Sequence, residues 1–312
     1  MFNACISNQW SVYFRLIGTF GIDSKSGPIN LRLADSTKEI LAYLALNANR
    51  DVRRSRLLLL LWPDRSEGSA RALLNTALWR IKRSIRAEGL TTLSIIGRGE
   101  IVRLETDDTV VVDAAVLEET IHTISRGQED SSGPLSPEIR TCLVRLLDTE
   151  GFEFIEGSAS DWVLVERERQ FNFQVRGLSL LMQDSALAGQ FEEALEFGRK
   201  ILRMDPMRES VQRQVIWLYV LSGQCCAAIR QYQTFAALLV DEAGIAPMPE
   251  TQALYEYIVA STAAATPGHS NGGVRDAHNR SEAATDVEAR RLERLFAQLA
   301  SQRQSIYAVL AE

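Results

Sequence analysis

The stretch GSARALLNTALWRIKRSIR, residues 68–86, decides the fold of the N-terminal third of the chain. Its apolar residues recur every three or four positions, which predicts an amphipathic helix with one face in a core. The inward stripe consists of Leu74, Leu78, Ile81 and Ile85. The opposite, polar side of the predicted helix comprises Thr76, Arg80 and Arg83, flanked by Arg71, Trp79 and Lys82. Such a helix is either an ordinary solvated element or one that binds a polyanion.

The residues that precede this helix predict two strands and a first helix. Alternating apolar side chains predict a strand over residues 12–22, bent near Gly18, and a second strand over residues 29–33. Ser36 and Glu39 have the spacing of a capping box, in which each side chain satisfies a free amide at a helix start. A helix is therefore predicted from Ser36 onward.

A second helix and a hairpin complete the N-terminal pattern. Residues 54–62 predict a helix that ends before Pro63. Residues 93–104 predict a β-hairpin with Arg98 at its tip. The predicted order is thus two strands, three helices and a hairpin.

Charge divides the chain into a basic head, residues 1–104, and an acidic remainder. The head contains 16 basic and 8 acidic residues, whereas residues 105–312 contain 18 basic and 32 acidic residues. The formal net charge of −6 therefore combines +8 in the head with −14 in the rest. This division indicates a polyanion-binding module joined to a separate interaction domain.

The head resembles the OmpR-type winged helix, in the variant found in SARP-type transcriptional activators. Three stretches carry the resemblance by their order and spacing: FRLIGTF (14–20), LLLLLWPD (57–64) and SARALLNTALWRIKR (69–83). The family implies that the third helix enters the major groove of double-stranded DNA and that the hairpin wing touches the minor groove. Arg80 then becomes the candidate for a guanine edge, and Thr76 for a thymine methyl. Arg98 becomes the candidate for the minor groove.

The same resemblance assigns the flanks of the helix to the DNA backbone. Lys82, Arg83, Asn75 and Arg71 are the candidates for phosphate contacts, which fix register without reading sequence. Trp79 has two alternative positions, either against the sugar–phosphate backbone or over the second helix.

Internal repetition is the main signal in the body, residues 105–262. The segment GQFEEAL, residues 189–195, aligns with GQCCAAI, residues 223–229, at an offset of 34 positions. A 34-residue period is typical of tetratricopeptide helix pairs. Two repeats are fewer than a stable stack needs, so flanking helices are expected at residues 113–126, 136–148 and 161–188.

The body resembles the bacterial transcriptional activation domain that follows the winged helix in SARP-type regulators. The matching stretches are DWVLVERER (161–169) and DEAGIAPMPET (241–251). The predicted fold is therefore mainly α with a small β component: a winged helix in residues 1–104 and a tetratricopeptide-like domain in residues 105–262. A flexible linker is predicted for residues 263–284 and an amphipathic helix for residues 285–312.

Several function classes have little support in the sequence. The longest apolar run, residues 215–221, is far shorter than a bilayer span, and no signal peptide is evident, so a cytoplasmic protein without a membrane partner is expected. Three histidines and four cysteines form no catalytic or metal-binding pattern, and no phosphate loop occurs. The adjacent pair Cys225–Cys226 could be a redox or metal site, but small buried side chains on a helix are the better interpretation. No enzyme activity, cofactor or metal is expected.

The leading hypothesis is a sequence-specific DNA-binding transcriptional activator. The resemblance implies that it binds DNA as a homodimer or multimer and that its body recruits RNA polymerase, mediates dimer contacts, or both. A repressor role stays open because the head has the same pattern in either case. The alternative is a helical-repeat adaptor whose winged helix binds protein and which would not need a basic third helix.

Overall fold

The computed structural model describes residues 2–7, 9–127, 134–149 and 151–264. The fold is mainly helical with two small sheets, as the sequence predicts. The elements up to residue 112 are α1 (Phe2–Ser7), β1 (Val12–Arg15), β2 (Gly21–Ser24), β3 (Gly27–Pro28), α2 (Asp35–Leu46), β4 (Val52–Arg53), α3 (Arg54–Leu61), α4 (Glu67–Ala87), β5 (Leu93–Arg98), β6 (Ile101–Thr106) and β7 (Val110–Val112).

The rest of the described chain is helical. Its helices are α5 (Asp113–Gly127), α6 (Pro137–Leu147), α7 (Asp161–Leu187), α8 (Phe191–Met204), α9 (Glu209–Leu221), α10 (Cys225–Ala243) and α11 (Pro249–Ala264). Within the described residues, no helix has both the length and the apolar character needed to cross a membrane.

The first predicted strand is in fact two strands. β1 and β2 are antiparallel neighbours in a sheet of order β3-β2-β1-β7, and Arg15 pairs with Gly21 across the turn. Gly18 lies in that turn with φ +87°, a left-handed conformation that glycine adopts without strain. The apolar alternation continues through the turn because Leu16 and Ile17 are buried against the body.

The prediction of a second strand over residues 29–33 is wrong. Ile29 donates its N–H to the carbonyl of Ile22 over 2.7 Å, and the regular pairing ends there. Arg32 has φ +45°, which turns the chain out of an extended path. Leu31 and Leu33 are nevertheless buried. The alternating pattern therefore arises from burial and not from strand pairing.

The helices of the head follow the predicted periodicity, but the predicted capping box does not form. Ala34 occupies the N-cap of α2, so Ser36 already lies within the first turn. The Glu39 carboxylate instead accepts hydrogen bonds from the hydroxyls of Ser158 at 2.7 Å and Ser160 at 2.6 Å. Glu39 therefore binds residues more than a hundred positions away and does not cap α2.

The 34-residue repeat is visible as two equivalent helix hairpins, α7–α8 and α9–α10. Gly189 and Gly223 occupy the same place in the two turns, with φ +74° and +75°. The following amides donate to matching carbonyls, Gln190 to Ser185 at 2.8 Å and Gln224 to Tyr219 at 2.7 Å. The left-handed turn explains why glycine stands at both positions.

Head and body meet along the chain that follows β1. Gly18 donates to the carbonyl of Glu153 at 2.7 Å, and Ile155 donates to the carbonyl of Leu16 at 2.8 Å. The Asp113 carboxylate, at the start of α5, accepts the amide of Leu16 at 2.9 Å. Residues up to Val259 accordingly form one compact unit.

The domain boundaries stay predictions. Strand β7 lies beyond residue 104 and pairs in parallel with β1, so the N-terminal sheet uses a strand from the body. Residues 263 and 264 end α11. The remainder of the predicted linker and the helix predicted for residues 285–312 lie outside the described residues.

Candidate nucleic-acid interface

The outer face of α4 is rich in cations over most of its length. Between residues 68 and 87 the helix carries five cationic side chains and no carboxylate. Its inward stripe of Leu74, Leu78, Ile81 and Ile85 is buried as predicted. That burial anchors the helix while Arg80, Lys82, Arg83 and Arg86 remain exposed. The helix therefore presents positive charge on a rigid support.

Arg80 and Thr76 lie one helical turn apart on the exposed side. The Thr76 hydroxyl donates to the carbonyl of Ala72 at 2.9 Å, so the methyl group is left as its apolar contact surface. Among the described residues, no carboxylate forms an ion pair with Arg80. Both side chains are therefore accessible to a ligand that approaches the middle of α4.

Trp79 and Arg83 form a second exposed feature on this helix. The Trp79 residue is 57% exposed and lies outside the core. The Arg83 guanidinium carbon lies 5.2 Å from the centroid of the indole ring, within the range of a cation–π contact. The indole thus offers a flat apolar surface beside a cation.

The predicted hairpin is present and is the wing of the fold. β5 and β6 pair from Leu93–Thr106 to Arg98–Ile101, and a two-residue turn joins them. β4 adds a short third strand on the other side of β6. Arg98 is exposed as the last residue of β5, next to the turn. The wing therefore places a cation at its outer end.

Arg71 differs from the other cations of α4 because it is already paired. Its guanidinium bridges Glu67 at 2.9 Å and Glu100 at 2.8 Å, and a second bond to Glu100 spans 3.2 Å. The hydrogen bonds from Arg71 hold the pKa of the Glu100 carboxyl below its usual range. Arg71 reaches a phosphate only by leaving one of these carboxylates.

Asn75 is held by Arg54, a residue for which the sequence supports a phosphate contact at the start of α3. Arg54 Nη1 donates to Asn75 Oδ1 at 2.8 Å, and Arg54 Nε donates to the Gly99 carbonyl in the wing turn at 3.0 Å. The sequence shows Arg54 as a cation at a helix N-terminus, where it opposes the helix dipole. A cation at this unfavourable position indicates a role outside its own helix, and the structure shows Arg54 bound to Gly99 and Asn75.

Comparison with known proteins identifies the body. Residues 146–259 match the family described as the bacterial transcriptional activator domain. The chain as a whole resembles SARP-type transcriptional regulators. The family match begins near the end of α6 and covers the helical repeats. It does not extend to the winged helix.

Two mycobacterial regulators are similar to this chain. The transcriptional regulatory protein EmbR of Mycobacterium tuberculosis is 28% identical over 229 residues, which cover 71% of this chain and 57% of EmbR. The transcriptional regulatory protein MoaR1 of Mycobacterium bovis BCG is 23% identical over 256 residues, covering 80% of this chain and 79% of MoaR1. This chain thus spans little more than half the length of EmbR.

A solved structure supports the fold. M. tuberculosis EmbR in complex with a low-affinity phosphopeptide superposes with a TM-score of 0.61, covering 80% of this chain and 65% of EmbR at 19% identity. At that identity the likeness concerns the arrangement of elements alone. The winged helix and the repeat body of this chain therefore follow an architecture known from a solved protein.

Proposed function

We propose that the protein is a sequence-specific DNA-binding transcriptional regulator that inserts α4 into the major groove. The observation that carries this proposal is the exposed basic face of α4, which has no carboxylate between residues 68 and 87. The major groove of B-form DNA, about 12 Å wide, admits an α-helix. Neutralised phosphates release counterions, so such a face favours double-stranded DNA over a neutral protein partner.

Within this complex, the middle of α4 reads bases. Arg80 donates in parallel to O6 and N7 of a guanine, a contact worth about 1–3 kcal/mol of discrimination. Thr76, one turn earlier, sets its methyl group against a thymine methyl. Arg98, at the end of the wing, enters the minor groove, where a narrow groove concentrates negative potential.

The flanks of α4 hold the DNA backbone. Lys82 and Arg83 bind phosphates, and the exposed indole of Trp79 lies against sugar atoms beside them. Arg71 and Asn75 lie on the side of α4 that faces the wing. They contact phosphates at the edge of the same surface, Arg71 in exchange for a carboxylate that it now binds.

The body is proposed to make this regulator an activator. The family name of residues 146–259 supports that role, and helical repeats offer extended surfaces for a protein partner. We propose RNA polymerase as that partner, with the chain bound to DNA as a homodimer or multimer in the cytoplasm. A helical-repeat adaptor is the competing function, and it leaves the basic face of α4 without a use.

The test is a DNA-binding titration of the purified protein by fluorescence anisotropy. Its own upstream intergenic DNA is compared with a random duplex of equal length over a range of salt concentrations. We expect salt-sensitive binding that is clearly tighter on the intergenic DNA. Arg203→Ala, which removes an exposed arginine of α8, serves as the matched control for charge loss. Failure to bind either duplex at low salt would favour the adaptor.

A further inference from the structure

We propose that Arg54 is a positioning residue that fixes the wing against α4, so that Arg98 and Arg80 reach DNA together. The inference deepens the proposed function and rests on it. Arg54 itself is assigned no DNA contact. Its role is to tie the outer turn of the wing to the middle of α4.

The contacts of Arg54 join three elements at one point. Its backbone amide, at the start of α3, donates to the carbonyl of Glu100 at 2.8 Å. Its side chain donates to the Gly99 carbonyl at 3.0 Å and to Asn75 Oδ1 on α4 at 2.8 Å. Both residues of the wing turn and the middle of α4 are therefore bound to a single residue.

A second bridge runs parallel to the first. Arg71 lies one helical turn before Asn75 on the same side of α4 and binds the Glu100 carboxylate with two hydrogen bonds. The two bridges thus end in the same two-residue turn. The inner half of the hairpin is held by the core and by β4, so these side-chain bridges act on its exposed outer turn.

Arginine is suited to this position because its donors form a planar fork. Nε and Nη1 point in different directions and reach a carbonyl and an amide oxygen at the same time. A lysine ammonium keeps the charge but is a compact group without that fork. Arg54→Lys should therefore preserve electrostatic attraction to DNA and lose the bridge.

The bridge also orients Asn75. A guanidinium only donates hydrogen bonds, so the oxygen of the Asn75 amide must face Arg54. The NH₂ group then points away from Arg54 as an oriented donor. The phosphate contact proposed for Asn75 accordingly depends on Arg54 for its direction.

The first experiment examines the wing without DNA. Amide hydrogen exchange is compared between the wild-type chain, Arg54→Lys and the control Arg53→Lys, which makes the same change at the exposed neighbouring residue. We expect faster exchange at the outer end of β5 and β6 in Arg54→Lys, with unchanged exchange in the buried stripe of α4. Equal exchange in all three proteins would overturn the proposal.

The second experiment is a double-mutant cycle on the preferred DNA. Arg54→Lys should weaken binding about three- to tenfold in the wild-type background and by a clearly smaller factor when Arg98→Ala is already present, the remainder coming from the misdirected Asn75 amide. Asn75→Ala removes the same bridge together with the phosphate contact proposed for Asn75, so it should weaken binding at least as much as Arg54→Lys. Independent losses for Arg54→Lys and Arg98→Ala would overturn the coupling. Unchanged binding after both Arg80→Ala and Arg98→Ala would overturn the proposed function, and the role of Arg54 in DNA reading with it.

Discussion

Arginines serve opposite purposes in the body and on α4. In the body, Arg140 joins α6 to its neighbours through an ion pair with Asp184 at 3.0 Å and another with Glu193. On α4, Arg80 forms no ion pair with a described carboxylate and is exposed. Arg140 is thus paired inside the molecule, whereas Arg80, proposed to contact DNA, is left exposed. Whether an arginine is already paired therefore predicts its use better than its charge does.

The largest effect that this contrast predicts is a loss of stability in the body. Arg140→Ala leaves the largely buried Asp184 carboxylate without its cation, so the free energy of unfolding should fall by about 2–3 kcal/mol. Arg80→Ala should change it by less than about 0.5 kcal/mol, because the side chain supports nothing in the fold. Urea denaturation followed by circular dichroism measures both. Equal losses of unfolding free energy in the two variants would contradict the contrast between paired and unpaired arginines.

The next effect concerns base reading. Arg80→Ala should cost about 1–3 kcal/mol of affinity for the preferred DNA and far less on a random duplex. Arg83→Ala is the matched change at a proposed phosphate contact. It should weaken both duplexes alike and lower the salt slope by about one. A loss of equal size on both duplexes for Arg80→Ala would remove it from the base-reading role.

The buried carboxylate at the joint between head and body gives a pH-dependent effect. Burial raises the pKa of Asp113 to about 7, although the amides of Ile17, Leu16 and Ala114 favour its charged form. The folded protein thus binds a proton that the unfolded chain releases near pH 4. Stability should fall as the pH rises towards 7, by at most about 1.4 kcal/mol per pH unit, and then level off.

Urea denaturation between pH 5 and pH 8 measures this slope. Asp113→Asn cannot titrate and should be less sensitive to pH over the same range, whatever its overall stability. The lowered pKa of Glu193 acts below this window, because its contribution is lost only as the pH falls towards acid values. An unchanged slope in Asp113→Asn would show that other groups control it.

The smallest effect tests the paired arginine of α4. Glu100→Gln removes a negative charge beside the proposed DNA surface and weakens the hold on Arg71. Affinity for random DNA should rise about two- to fivefold, and the salt slope should increase because a further cation meets phosphate. Specificity should fall accordingly. The same titration on preferred and random duplexes measures it, and weaker binding to random DNA would contradict the expectation.

The sequence predicts the elements whose burial follows a local period. The apolar stripe of α4 and the 34-residue repeat need only spacing, because a buried helix face imposes the same pattern wherever its partner lies. The wing is recognisable because its strands are adjacent in the chain. These features also define most of the candidate interface, because its cations lie on the side of α4 opposite the buried apolar stripe.

The remaining features depend on contacts between distant residues. Glu39 leaves its predicted cap because Ser158 and Ser160 approach it in the folded chain. Strand β7 exists because β1 offers it an edge, and its three valines alone do not distinguish strand from buried helix. The bridge from Arg54 to Asn75 spans 21 positions and has no periodic signature. Spacing rules cannot assign such contacts before the fold is known.

The contacts between head and body fix the orientation of one part relative to the other. Backbone bonds hold Gly18 to Glu153 and Leu16 to Ile155, and Glu39 holds the segment that precedes α7, so the two parts turn as one object. A head seated in the major groove would then aim its body along a single azimuth around the duplex. B-form DNA repeats every 10–10.5 base pairs. Moving the binding site by about five base pairs, half of that repeat, would therefore swing the body to the opposite side of the DNA.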